Sequence, residues 1–187
     1  MGGEGQLGDG TLSSSCSEAA GVTLIELLVV IVILAIVIGI AIPSFQLFIS
    51  GNQTQAAATR LQGILQSARA YAIDNGIPVA VSVLAVGNAC SVNGNTFGGY
   101  GAATTVSSLI ISSQEFTQSY GSNVTCTVTN GNVCFSPIGA LQIGGNCQPS
   151  MTISLQAQQA GVASYNVITS GAGVVTTCVQ QPNGNCY

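Results

Sequence analysis

The chain has 187 residues, room for one ordinary domain plus a peripheral segment, and 47% of it is hydrophobic, so it is not of the disordered class. Charged residues are only 4%, against about 25% in an average soluble protein. The only basic side chains, Arg60 and Arg69, cannot make a phosphate-gripping patch, so nucleic acid is not an expected partner; the lack of histidine removes imidazole base catalysis and the commonest metal ligand.

Residues 1–21 are polar, small and rich in Gly and Ser, with no apolar periodicity. From Val22 to Ile42 the sequence turns to VTLIELLVVIVILAIVIGIAI, in which only Thr23 and Glu26 are polar. As a helix this run spans about 30 Å, the hydrocarbon thickness of a bilayer. Pro43 removes one backbone bond and bends the axis, but need not end the helix. Beyond it Ala57, Leu61, Ile64, Leu65, Ala68 and Tyr71 or Ala72 recur at helical spacing among polar residues, which makes the second half amphipathic. Asn75-Gly76 followed by Pro78 is a stop signal.

After Pro78 the period changes to short β runs. Strands are expected near Val79–Val86, Val106–Ser113, Val124–Thr129, Thr152–Gln156, Ser164–Thr169 and Gly173–Cys178, separated by Gly, Asn, Ser and Pro clusters such as VNGNTFGGYG and PNGN. T-N-G-N-V at Thr129–Val133 suits a tight hairpin. The expected fold class is α+β: a long N-terminal helix, part membrane segment and part amphipathic, packed on a C-terminal antiparallel β domain. The expected divisions are 1–21, 22–43, 44–76 and 79–187.

The segment G-V-T-L-I-E-L, Gly21 to Leu27, closely resembles the prepilin cleavage and methylation motif of the type IV pilin superfamily. The resemblance implies that residues 1–21 are a leader, that a membrane aspartyl peptidase cuts between Gly21 and Val22, and that the new amine of Val22 is methylated. Glu26 and Pro43 then stand where that family has its glutamate and, commonly, a helix-kinking proline. Leu61 to Val79, LQGILQSARAYAIDNGIPV, looks like the end of the long helix in the GspH/FimT group of minor pilins and pseudopilins. V-C-F-S-P-I-G-A from Val133 is similar to their F-x-P-x-G turn, and the closing Cys178 and Cys186 to their C-terminal cysteine pair. The chain departs from the pattern at Val22, where the family usually has Phe or Met. It departs again at Gly173 to Thr176, which lacks the arginines that some relatives carry and use to bind DNA.

Glu26 is the most informative single residue. A carboxylate in a membrane helix costs about 2.5–3.5 kcal/mol on insertion scales and is usually functional. At a helix start the macrodipole favours an acid, yet does not require one at this depth. The resemblance implies a charge partner for the amine of Val22 on a neighbouring subunit. Arg60 reads as a solvated helix position, while Arg69, within A-R-A, leaves partner contact open.

The seven cysteines include no C-x-x-C pair, so zinc and redox readings are weak and an oxidising compartment with disulfides is expected. Cys178–Cys186 is the first expected bridge, closing a short Pro/Gly/Asn loop. Cys90, Cys126, Cys134 and Cys147 supply two more with the pairing open, and Cys16 leaves with the leader. Sparse charge ties little stability to carboxylate protonation, which suits an acidic exterior.

The expected function is a structural minor pilin or pseudopilin of a type IV pilus or type II secretion pseudopilus. It would be held in the inner membrane by one helix, with its C-terminal domain periplasmic or extracellular, and partnered by other pilins and prepilin peptidase. No enzyme activity, cofactor or metal is expected. The alternative is a tip-located binding module for DNA uptake or adhesion on the same anchor.

Overall fold

A computed structural model describes residues 21–96, 104–180 and 186. Two compact units divide it, Met1–Ala41 and Ile42–Tyr187. Helix α1, Leu24–Asn75, contributes to both and continues through Pro43. Its part of the second unit buries Ser50, Thr54, Ala57, Ala58, Leu61, Ile64, Leu65, Ala68 and Ala72. These recur every three or four residues, so they form one stripe. Four of the nine are alanine, and Leu61, Ile64 and Leu65 bring the larger side chains to the core. Gly76, at φ 64°, ends the helix, and its N–H donates to the Ile73 carbonyl.

Nine strands follow in chain order: β1 (Val79–Val86), β2 (Ala89–Thr96), β3 (Thr104–Thr105), β4 (Val124–Thr129), β5 (Asn132–Phe135), β6 (Leu141–Gln142), β7 (Met151–Ala157), β8 (Ser164–Thr169) and β9 (Val175–Gln180), with a second helix α2 (Ser113–Tyr120) between β3 and β4. They form two antiparallel sheets, β3-β2-β1-β5-β6 and β4-β7-β8-β9. Alternation puts Val79, Val81 and Val83 of β1 and Met151, Ile153 and Leu155 of β7 in the core, with Phe116, Phe135 and the α1 stripe. The α+β class expected from the sequence is the class observed.

Three local expectations are corrected. The strand near Val106–Ser113 is instead a 3₁₀ turn, Ser107–Leu109, a single bridge from Ile111 to Val92, and the start of α2. Ser112 decides this. Its Oγ accepts from the Glu115 N–H at 3.1 Å in an S-x-x-E cap, and the helix so begun buries Phe116. Leu109 tucks against β2 at Gly94, where a Cβ would lie 2.5 Å from the Leu109 Cβ.

The second correction is β2, whose V-N-G-N-T reads as a separator in sequence. It forms because Gly87, at φ 62°, opens a two-residue turn that folds Ala89–Thr96 back along all of β1. The third concerns T-N-G-N-V, which is a corner between sheets and not a hairpin. Asn130 takes φ 56° and the Gly131 carbonyl accepts from the Val83 N–H at 2.6 Å, so β5 pairs with β1 while β4 stays in the other sheet. Burial of Val133 and Phe135 rewards that long-range pairing.

Three disulfides close the cysteine pairing: Cys90–Cys126, Cys134–Cys147 and Cys178–Cys186. The first joins β2 of one sheet to β4 of the other, beside the hydrogen bond from the Cys126 N–H to the Asn88 carbonyl at 2.8 Å. Cys16 and the loop at 181–185 lie outside the described residues.

Two predictions follow from these contacts. Replacing Cys90 and Cys126 together by Ala costs about 2–4 kcal/mol in urea unfolding. Tyr120 packs on Phe116 with ring centroids 5.0 Å apart, and burial pushes its phenol above the ordinary value; the Arg60 charge opposes this and the Glu115 charge adds to it. A raised folded-state value contributes stability below the unfolded value, about 10, and loses it as pH rises through the folded value. The melting temperature therefore falls above about pH 10, and less steeply in Tyr120→Phe.

Candidate functional site

The N-terminal segment is built from the start of α1. Thr23 caps the helix: its Oγ1 accepts from the Glu26 N–H at 3.3 Å, and its carbonyl accepts from the Leu27 N–H at 3.2 Å. T-L-I-E thus supplies the S/T-x-x-E start pattern, a signal legible in the sequence that assigns a role to Thr23. Glu26 sits in the first turn, where the macrodipole favours a carboxylate, and its side chain is exposed. Val22 is 70% exposed. A Cβ on Gly21 meets nothing within 4 Å, so packing does not ask for glycine there.

From Leu24 to Ala41 every side chain is exposed, although nearly all are apolar. Soluble proteins rarely leave contiguous apolar patches beyond a few hundred Å² in water, so this surface needs lipid or other helices to cover it. α1 is long and apolar enough to cross a membrane. Glu26 is the only charged residue in this stretch, near its N-terminal end. Gly21, Val22 and Glu26 therefore lie together at the head of an uncovered apolar rod. Pro43 lies within the same helix, in the second unit.

The second cluster is at the other end of α1. Ser136-Pro137-Ile138-Gly139 forms a β-turn in which the Gly139 N–H donates to the Ser136 carbonyl at 2.8 Å. Arg69, half-buried, donates from Nε to the Gly139 carbonyl at 2.8 Å. A Cβ on Gly139, whose φ is 78°, would lie 2.7 Å from the Ile73 Cδ1. Gly173, at φ 75°, approaches from below, and a Cβ there would run into the Gly139 carbonyl oxygen. Thus A-R-A of the helix, S-P-I-G after β5 and the glycine turn before β9 form one stack. Arg69 has a role inside its own chain, while Arg60 is exposed. Gln62 reaches the neighbouring strand, accepting from Thr177 Oγ1 at 2.8 Å and donating to the Val175 carbonyl at 3.5 Å.

No group of His, Cys, Asp and Glu able to hold a metal occurs among the described residues. Cys90, Cys126, Cys134, Cys147, Cys178 and Cys186 form the three bridges.

Residues 16–42 match the family described as the prokaryotic N-terminal methylation motif. No curated protein matches the sequence. Among solved structures the chain is similar to the type IV minor pilin FimU of Pseudomonas aeruginosa in two crystal forms. One has 16% identity, 73% of this chain and 93% of that chain covered, and a TM-score of 0.49. The other has 17% identity, 71% and 96% covered, and a TM-score of 0.45.

Replacing Arg69 by Met leaves the Gly139 carbonyl without its side-chain donor and costs about 1–2 kcal/mol. Gly173→Ala costs more, about 3 kcal/mol, from strain at positive φ plus overlap with backbone. Chemical denaturation of the two variants checks the order.

Proposed function

We propose that this chain, which carries the N-terminal methylation motif of the type IV pilin superfamily, is the precursor of a minor pilin or pseudopilin. In this reading it is a structural subunit of a type IV pilus or a type II secretion pseudopilus. The observation that carries the reading is the placement of Gly21, Val22 and Glu26 at the head of an apolar helix with no cover of its own. Residues 1–21 are the leader and prepilin peptidase cuts between Gly21 and Val22. An unpacked glycine at an exposed position gives the peptidase a bare bond beside the membrane.

The amine of Val22 is then methylated. The apolar half of α1 holds the subunit in the inner membrane, with the C-terminal domain on the periplasmic side. On assembly the same helix moves from lipid into contact with the helices of other pilins. In that low-dielectric setting the Glu26 carboxylate and the cationic amine of a neighbouring Val22 attract strongly, and an unpaired Glu26 is costly. The pair therefore selects one axial register. Pro43 marks the passage from the anchoring half of α1 to the half that serves the β domain.

The test is the intact mass and N-terminal sequence of the membrane-extracted chain, produced with and without a prepilin peptidase. With the peptidase the N-terminus is Val22, carrying one added methyl; without it the chain keeps residues 1–21. Glu26→Ala is cut as usual but is not recovered in sheared filaments. An uncut chain in both preparations would overturn the reading.

A further inference from the structure

The outer face of the first sheet carries a neutral hydrogen-bonding groove. Val79, Val81 and Val83 of β1 point to the core, so Ala80 and Ser82 take the opposite face. Register places Asn95 beside Ala80 on one side and Cys134 on the other, and Asn132 beside Ser82; Gln142 lies next to Cys134. The loop after β6 borders this face. It is held by the Cys134–Cys147 disulfide, by paired backbone between Gly144 and Cys147, and by the hydrogen bond from the Gln148 N–H to the Asn132 carbonyl. Together they enclose a cavity of about 430 Å³, lined by Ala80, Ser82, Asn95, Asn132, Gln142 and Asn146 with the disulfide sulfurs alongside.

The lining has a definite chemistry. Four carboxamides and a hydroxyl each offer both donor and acceptor capacity, which matches the hydroxyl group's own double role. The Ser82 hydroxyl donates to Asn132 Oδ1 at 2.7 Å, which fixes that amide and turns its Nδ2 to other partners. Among the described residues no ionised side chain lines the groove, so a charged ligand would lose hydration without gaining a counter-charge. Ala80 and the disulfide give an apolar floor suited to the C–H face of a ring. The size falls within the range of ligand pockets.

We propose that this groove binds a neutral saccharide, a function separate from filament assembly and independent of it. The full chain in lipid nanodiscs, free of sugar detergents, is titrated calorimetrically with maltohexaose, cellohexaose, xylohexaose and mannohexaose, and with oligogalacturonate as the anionic comparison. At least one neutral hexaose binds, with a Kd that changes less than about twofold between low and high salt. Asn95→Ala and Gln142→Ala each weaken it about tenfold, the loss expected for one hydrogen bond. Both keep the parent melting temperature, because neither side chain packs in the core. Ala80→Glu, which puts a charge on the groove floor, abolishes binding. Absence of binding by all four neutral sugars, preference for oligogalacturonate, or equal affinity in the folded Asn95→Ala and Gln142→Ala proteins would each overturn the proposal.

Discussion

Burial of one stripe of α1 organises the globular unit. Residues Ser50 to Ala72 present a narrow band of small and aliphatic side chains, and no isolated helix can hide such a band from water. Both sheets supply the cover, through the inward residues of β1 and β7. The polar contacts of the helix serve the same end. Gln62 covers part of the β9 edge, whose backbone would otherwise invite another strand, and Arg69 pins the turn that precedes β6. Ahead of the stripe the same helix changes rule, with apolar side chains on every side. A single element thus states two solvation requirements, and among the described residues only that of the stripe is met.

The sequence made the elements with strong local signals legible. The switch from an all-round apolar run to a 3.6-residue stripe marked α1, and Asn75-Gly76 marked its end. Short runs rich in β-branched residues, bounded by Gly, Asn, Ser and Pro clusters, marked β1, β4, β7, β8 and β9. What escaped were elements whose identity depends on distant partners. Asn93, Gly94 and Asn95 disfavour a strand, and β2 exists because β1 offers it eight paired positions and Leu109 needs Gly94 bare. Asn130-Gly131 suits a turn in any context, so nothing local says that it carries the chain from one sheet to the other. α2 escaped because the run Val106–Ser113 reads as a strand, whereas in the fold Ser112 accepts from the Glu115 N–H and starts the helix. At the N-terminal segment the reading of Gly21, Val22 and Glu26 rests on the resemblance, and the fold adds that all three are exposed where α1 begins. The pairing of four cysteines was not legible, because it follows from where the two sheets meet.

Scarcity of charge shapes the whole unit. After Asn75 the only ionisable acid or base among the side chains, cysteine and tyrosine aside, is Glu115. Ion-pair networks are therefore not available to hold loops, and covalent bridges and glycine-tight backbone contacts take their place. The Cys90–Cys126 bridge joins the two sheets, and the Gly139–Gly173 approach brings two turns closer than any side chain permits. Polar recognition on the β domain's surface falls mainly to hydroxyls, amides and backbone, which makes it tolerant of salt.

The order of the first sheet also has a mechanical meaning. α1 passes through three residues, Gly76 to Pro78, directly into β1, which lies between β2 and β5 and is antiparallel to both. A pull transmitted to the C-terminal end of α1 reaches β1, a strand held by hydrogen bonds on both flanks. Cys90 at the head of β2 and Cys134 in β5 tie those flanking strands covalently to the second sheet and to the loop after β6. Tension entering from the helix is therefore shared across the sheet before any strand can be drawn out.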